Sequence, residues 1–217
     1  HIQRTGGTSL EKLISSKDWF CDAEHQPQKH LIASQAKELY ASHWDEYFKF
    51  SLVRNPWSRF ISMLRFSKHF GVSLNNGELD ISGYKKIYGF PNPVEHHPKF
   101  YADGKAYSKL TQQEKSAKPA NFQKILTANS QLPPGRPGYG YSNILNEELD
   151  FIGKYENLEE DCNFILRTIG SKERMKFKPG ESEAYNAAQY RDHYSQSTIN
   201  EVREMYEHDN LSYNYNY

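Results

Sequence analysis

His1-Ile2-Gln3-Arg4-Thr5-Gly6-Gly7-Thr8-Ser9-Leu10 opens the chain and decides how the rest is read. An apolar-capable strand end runs into two glycines and two hydroxyl residues. Leu10, Leu13 and Ile14 then fall at the i, i+3, i+4 spacing of a buried helical stripe. Glycine lets a backbone turn tightly and approach a ligand, because no Cβ stands in the way. The first N–H groups of the following helix lack internal partners, and the dipole there favours an anion. A strand, a glycine loop and a helix start with a cation beside them make a phosphate cradle. The competing reading is a plain helix start, with Thr8 and Glu11 as a capping box after a glycine turn.

The second informative stretch is Phe48-Lys49-Phe50-Ser51-Leu52-Val53-Arg54-Asn55-Pro56-Trp57-Ser58-Arg59-Phe60-Ile61-Ser62. Alternating and then continuous apolar residues predict a strand over 48–53. Asn55 is a good N-cap and Pro56 a good first helical residue, so a helix follows at once, burying Phe60, Ile61 and Leu64. Arg54 therefore emerges at the carboxyl end of a strand, where ligands of open α/β sheets sit. Ser62 lies about two helical turns on and projects to the same side as Ser58. A guanidinium fork with a hydroxyl is a competent receptor for a phosphate dianion. The alternative is an arginine capping a neighbouring carbonyl beside a solvated serine.

Taken together, the two segments resemble the carbohydrate-type sulfotransferases that use 3′-phosphoadenosine 5′-phosphosulfate (PAPS). Thr5-Gly6-Gly7-Thr8-Ser9 is similar to that family's 5′-phosphosulfate loop. His1-Ile2-Gln3 ahead of it is similar to the heparan sulfate 6-O form, within a heparan sulfate 2-O/6-O-like group. Arg54 and Ser62 occupy the arginine and serine positions of its 3′-phosphate motif. The stretches 150–161 and 190–209 look like the family's late strand and helix and its closing helix, while 68–146 stays largely unmatched. The resemblance implies an α/β fold, a three-layer sandwich with a short parallel sheet, P-loop-like at its first loop. It implies PAPS as co-substrate, no metal, and in-line transfer of a sulfonyl group to a hydroxyl of a glycan acceptor. Arg4, the N–H groups from Thr5 through Gly6 and Gly7 to Thr8, and the Thr8 and Ser9 hydroxyls would hold the 5′-phosphate. Arg54 and Ser62 would hold the 3′-phosphate. Relatives place a general base between the two motifs, which implies His30, with His25 and His43 as local competitors; histidine suits base work near neutral pH.

Arg4 departs from the family, which has lysine there and often proline at the position of Gln3. Arginine keeps the charge but presents a wide planar fork instead of a compact ammonium. Slow turnover, or a PAP- and glycan-binding relative that has lost catalysis, is the alternative this departure motivates. A P-loop nucleotide kinase or NTPase is a further alternative. Against it, no Gly-Lys-Ser/Thr ends the loop and no aspartate follows an apolar strand to hold a metal-bound triphosphate.

Composition narrows the classes. The chain has 217 residues with 27 basic and 27 acidic side chains, so no overall field draws it to nucleic acid or an anionic membrane. Any anion must be bound by local placement of Arg and Lys. Cys21 and Cys162 form neither a disulfide framework nor a metal-ligand spacing, and Cys162 falls on an apolar helical stripe. His96-His97 lacks zinc-like companions. No run reaches the roughly 18–20 apolar residues that span a bilayer. The chain opens without Met, which suggests trimming; it would work in the cytoplasm of a prokaryote, or in the Golgi lumen had an upstream segment supplied an anchor. Length suits a single domain over 1–217, with oligomeric state not legible.

The segment around 68–146 reads as an irregular acceptor-binding insertion, rich in Gly, Pro, Tyr, Asn and Lys. Lys85, Lys86, Lys99, Lys105, Lys109 and Arg136, with Tyr84, Tyr88, Tyr101, Tyr107, Tyr139 and Tyr141, are candidates to line a cleft for an anionic sugar. A solvated polar insertion reads as well. Later, 151–155 predicts a strand, and Asn157 with Glu160 caps a helix bearing Leu158, Cys162, Ile165 and Ile169, ended by Gly170. Thr198 and Glu201 read as the capping box of the last helix. The Tyr- and Asn-rich tail after Asp209 is expected to fray or to lie on the surface.

Overall fold

The computed structural model describes residues 2–14, 32–66, 70–88, 90, 140–176 and 189–217. Among these, β1 (Phe50–Val53) and β4 (Phe151–Lys154) pair in parallel, with Phe50 opposite Phe151 and Val53 opposite Lys154. Adjacent residues of a strand point to opposite faces. Leu52 accordingly enters one hydrophobic cluster and Val53 another, so the short sheet separates two cores. Helix α1 (Gly7–Ile14) and helix α5 (Leu158–Thr168) close the Leu52 face through Leu10, Leu158, Cys162, Ile165 and Leu166. On the Val53 face lie α3 (Pro56–Phe66) and α6 (Gln196–Met205), with Trp57, Phe60, Val202 and Met205 buried between them. Cys162 is fully buried, and burial pushes its thiol up to about 12, so it is an inert packing residue. α2 (Ala33–Leu39) docks by the Ala33 N–H on the Ile144 carbonyl.

Sequence expectation and structure differ at four places. Residues 2–5 form no strand ahead of the glycines; Gln3 and Arg4 lie in a turn. The start of the insertion is regular: β2 (Ser73–Asn75) and β3 (Glu78–Asp80) form an antiparallel hairpin, followed by α4 (Ser82–Tyr88). Its Asn76-Gly77 turn has φ of 50° and 87°, the left-handed pair that an Asn-Gly hairpin turn requires. Tyr84 and Tyr141, expected to line an acceptor cleft, are instead core residues, Tyr84 edge-on to Phe60 at 4.7 Å.

The third difference concerns helix starts. Ser195, not Thr198, caps α6: its side chain accepts the Thr198 N–H, while the Thr198 hydroxyl turns inward to the Leu79 carbonyl. Likewise Asn157 makes no side-chain cap; a 3₁₀ turn over Tyr155–Asn157 feeds directly into α5. Gly170 does end α5, with φ +72° and the Ser171 N–H on the Leu166 carbonyl. Fourth, the tail is tied down. α7 (Glu207–Tyr213) continues past Asp209, and Tyr215 is buried with its N–H on the Asn210 carbonyl. No helix among the described residues is long and apolar enough to cross a membrane.

Candidate functional site

The loop before α1 is shaped by two residues with positive φ. Arg4 sits at φ +65°, a conformation that costs a non-glycine residue roughly 1–2 kcal/mol, and Gly6 at φ +90°. Such strain in a glycine loop marks a place where the surrounding structure fixes the backbone. Thr5 is fully buried, its hydroxyl donating to the Ile2 carbonyl at 2.9 Å, so its side chain serves the fold of the loop. Gly6 lies against α5: a Cβ there would come within 2.7 Å of Leu158 Cδ1 and 3.1 Å of Tyr155 Cδ2. Thr8 and Ser9 are exposed on the first turn of α1, and the Ser9 N–H closes back on the Gly6 carbonyl at 3.0 Å.

The turn from β1 into α3 meets this loop. Asn55 is the cap, its Oδ1 accepting the Ser58 N–H at 3.2 Å. Arg54, 8% exposed, donates from Nε to Ser58 Oγ at 2.8 Å and from a terminal nitrogen to the Arg4 carbonyl at 3.4 Å. Its guanidinium carbon lies over the Tyr155 ring, 3.9 Å from the centroid. Burial pulls the Arg54 pKa below its ordinary value, partly offset by Tyr155 and Glu156; an arginine remains charged under such a shift. Behind it, Tyr141 donates its hydroxyl to the Arg54 carbonyl at 2.5 Å. Arg59 donates to the Gln3 carbonyl at 3.0 Å and to the Tyr206 hydroxyl at 3.0 Å, tying the loop to the Val53-side core.

Arg4 completes the group. Its Nε donates to Ser62 Oγ at 2.9 Å, and its guanidinium lies 4.4 Å from the centre of the Phe66 ring. Two cations from segments fifty residues apart thus converge beside the glycine loop, each held by a serine hydroxyl and an aromatic face. Two guanidinium groups so placed have the chemistry to attract an anion.

The structure therefore brings together Arg4, Thr5, Gly6, Gly7, Thr8, Ser9, Arg54 and Ser62, although the serine pairing is crossed. Ser62, expected beside Arg54, engages Arg4, and Ser58 takes its place on Arg54. Ser58 was signalled by its i+4 spacing from Arg54. Tyr155 and Phe66 carry no local sequence signal for this role. His30 and His25 lie outside the described residues, as do Cys21, His96, His97 and the lysines, tyrosines and arginine expected in the cleft between 99 and 139. His43 is an exposed turn residue, stacked on Tyr47 and 3.5 Å from Glu46. Lys85, another cleft candidate, pairs with Glu201 at 2.8 Å. Among the described residues no group of side chains could hold a metal ion.

The model of the Sulfotransferase family matches residues 1–216. Carbohydrate sulfotransferase 14 of Danio rerio is 27% identical over 174 residues, which is 77% of this chain and 42% of that protein. Carbohydrate sulfotransferase 9 of Homo sapiens is 35% identical over 74 residues, 30% of this chain and 17% of that protein. Carbohydrate sulfotransferase 11 of Danio rerio is 30% identical over 70 residues, covering 30% and 20%. The chain thus spans less than half the length of these curated relatives. No solved structure matches it significantly.

Proposed function

The chain belongs to the sulfotransferase family, and from that premise we propose that it moves the sulfonyl group of PAPS to a hydroxyl of a carbohydrate. The observation that carries the reading is the convergence of Arg4 and Arg54 on one glycine loop. PAPS presents two separate anionic groups on one adenosine, and the site offers two separate guanidinium groups. Arg4 and the N–H groups of the 5–8 turn would hold the 5′-phosphate, with the exposed Thr8 and Ser9 hydroxyls beside it. Arg54 would hold the 3′-phosphate. Ser58 and Ser62 orient the two forks, and the crossed pairing makes both serines part of that receptor. This use of a glycine loop and helix start is what we mean by a P-loop-like site within a three-layer single domain.

The reaction forms a bond from the acceptor oxygen to sulfur, breaks the bond from sulfur to the 5′-phosphate oxygen, and releases the acceptor proton to a base. Positioning and charge stabilisation carry most of such a transfer. Arg4 supplies a permanent charge where negative charge builds on the leaving phosphate. His30 is the proposed base, resting on its place between the two motifs. The remainder of the 68–146 segment is proposed to recognise the acceptor. The names of the three relatives support a sugar acceptor.

Isothermal titration with PAP tests the reading directly. Wild-type binding in the micromolar range should weaken by about tenfold to a hundredfold in Arg54→Ala, the loss of one or two charge-assisted hydrogen bonds. A folded wild type that binds no PAP would sink the proposal. The altered fork at Arg4 supports a second reading, nucleotide and glycan binding without transfer. PAPS turnover on a panel of glycans separates the two, and His30→Ala should abolish turnover while leaving PAP affinity intact.

A further inference from the structure

Residues 213–217 close over the turn that carries Arg54. Asn214, at φ +53°, ends α7 and reverses the chain. Tyr215 is then buried with its hydroxyl donating to Glu156 Oε2 at 3.0 Å. The other oxygen of the same carboxylate, Oε1, accepts the Asn55 N–H at 2.8 Å. The side chain of Asn55 donates from Nδ2 to the Asn216 carbonyl at 2.9 Å. Lys154 secures the segment from beneath, its ammonium on the Tyr213 carbonyl at 2.6 Å.

These bonds fall where the ladder stops. The last β1–β4 pair is Val53 with Lys154, so the Asn55 N–H lies beyond the reach of a strand partner. Asn55 is also the cap of α3, and Arg54 precedes it. The direction of the Arg54 side chain depends on the dihedrals of this two-residue corner. Glu156 and Asn216 hold Asn55 by its main chain and its side chain at once. Glu156 is itself exposed, and an exposed carboxylate ordinarily stays in water with no fixed partner. Here both of its oxygens are engaged.

We infer that Glu156, held by Tyr215, is a positioning residue that aims Arg54 at the 3′-phosphate, so that residues 213–217 help distinguish a 3′-phosphorylated adenine nucleotide from AMP. This rests on the nucleotide reading above and names what enforces its selectivity. Glu156 acts by geometry, against its own charge: a bare carboxylate near Arg54 disfavours an incoming phosphate, and only the fixed corner makes it worth retaining.

The experiment compares PAP with AMP by calorimetry on wild type, Glu156→Ala, Glu156→Gln and Tyr215→Phe. AMP lacks only the 3′-phosphate, so the ratio of the two affinities reports Arg54 placement and cancels general loosening of the site. Glu156→Ala should cut the PAP/AMP ratio about tenfold, and Tyr215→Phe about threefold, with AMP affinity unchanged. Glu156→Gln, which keeps an oxygen acceptor for the Asn55 N–H, should preserve the ratio. In the Arg54→Ala background, Glu156→Ala should change nothing further. An unchanged ratio in Glu156→Ala and Tyr215→Phe overturns the inference. So does a rise in PAP affinity in both Glu156 variants, which would mean that charge and not geometry governs. Should Glu156→Ala fail to fold, Tyr215→Phe alone decides. A wild type that does not bind PAP refutes the nucleotide reading itself, a result distinct from either.

Discussion

Two glycines of nearly identical φ provide a measurement of how tightly the first loop is packed. Gly6 has φ +90° and Gly77 has φ +87°. Replacing either by alanine imposes the same left-handed penalty, roughly 1–2 kcal/mol. They differ in what the new methyl meets. At Gly77, in the hairpin turn, nothing lies within 4 Å; at Gly6, Leu158 Cδ1 would stand at 2.7 Å and Tyr155 Cδ2 at 3.1 Å. Leu158 is almost fully buried at the base of α5, so it yields only by disturbing the cluster around Leu52 and Ile165. Overpacking of that kind costs about 1–3 kcal/mol. Gly6→Ala should therefore cost about 2–5 kcal/mol, of which Gly77→Ala reproduces only the backbone share. The difference appears in urea denaturation as a lower midpoint, and in a melting scan as a gap of about 2–4 °C per kcal/mol for a chain of this size. Tyr155 also carries the Arg54 guanidinium, so Gly6→Ala should weaken PAP binding where Gly77→Ala leaves it unchanged. Equal destabilisation by the two substitutions would refute the close packing of loop against α5, and with it the placement of Tyr155 between the two halves of the site.

Asp209 offers a pH test. It is buried, accepts the Tyr141 and Ser142 N–H groups, and has its pKa raised by burial above the ordinary carboxylate value. A folded pKa above the unfolded one means the folded state binds the proton more tightly, so this contribution is fully present below about pH 4 and is lost as pH rises through the folded value. Wild type should therefore gain stability relative to Asp209→Asn as pH is lowered from 7 towards 4, followed by denaturation midpoints; a parallel pair of profiles would refute it. At Arg4, lysine keeps the charge but not the Nε bond to Ser62 or the guanidinium contact with the Phe66 ring. Arg4→Lys should weaken PAP binding by less than tenfold and Arg4→Ala by more, and equal losses would show that the guanidinium geometry, not its charge, is what Arg4 supplies.

Much of the sheet and its helices was legible because each signal there is local. The run Phe50 to Val53, the Asn55-Pro56 helix start and the stripe of Leu158, Cys162 and Ile165 are all read from spacing over a few residues. The same holds for Gly170 as a helix stop. What escaped were competitions between neighbouring signals and contacts across distance. Thr198 with Glu201 has the form of a capping box, but Ser195 three residues earlier wins because the Thr198 hydroxyl is taken by Leu79 from another element. The Asn76-Gly77 turn was a local signal, lost in a segment whose average composition reads as loop. The tail read as frayed or laid on the surface because its tyrosines have no periodicity; they are ordered by Glu156, Trp57 and Arg191, residues 26–160 positions away. The candidate site divides the same way. Glycines, Arg54 and Ser62 could be read from their motifs, whereas Tyr155, Phe66 and the crossed serine pairing exist only once the chain is folded.

The crossed pairing has a consequence for how two arginines can be held side by side. Burial sets the main cost of keeping Arg54 charged and the nearby Arg59 adds to it, as the lowered pKa of Arg54 records. The simplest remedy is a tight carboxylate partner on each guanidinium, but such a partner would occupy the same forks that an incoming phosphate needs. At Arg54 the structure uses weaker, uncharged partners, Ser58 and Tyr155, and a serine and an aromatic ring, Ser62 and Phe66, also hold Arg4. An aromatic face stabilises a cation through its quadrupole without neutralising it, by about 0.5–2 kcal/mol. A serine hydroxyl can turn to donate to a phosphate oxygen once the guanidinium has moved towards it. The negative charge of Glu156 is kept near enough to ease Arg54, yet its two oxygens are occupied by Asn55 and Tyr215 instead of the guanidinium. Arg54 is thus held in place while its charge stays available, which is an electrostatic condition for attracting an anion in a chain whose net charge is zero.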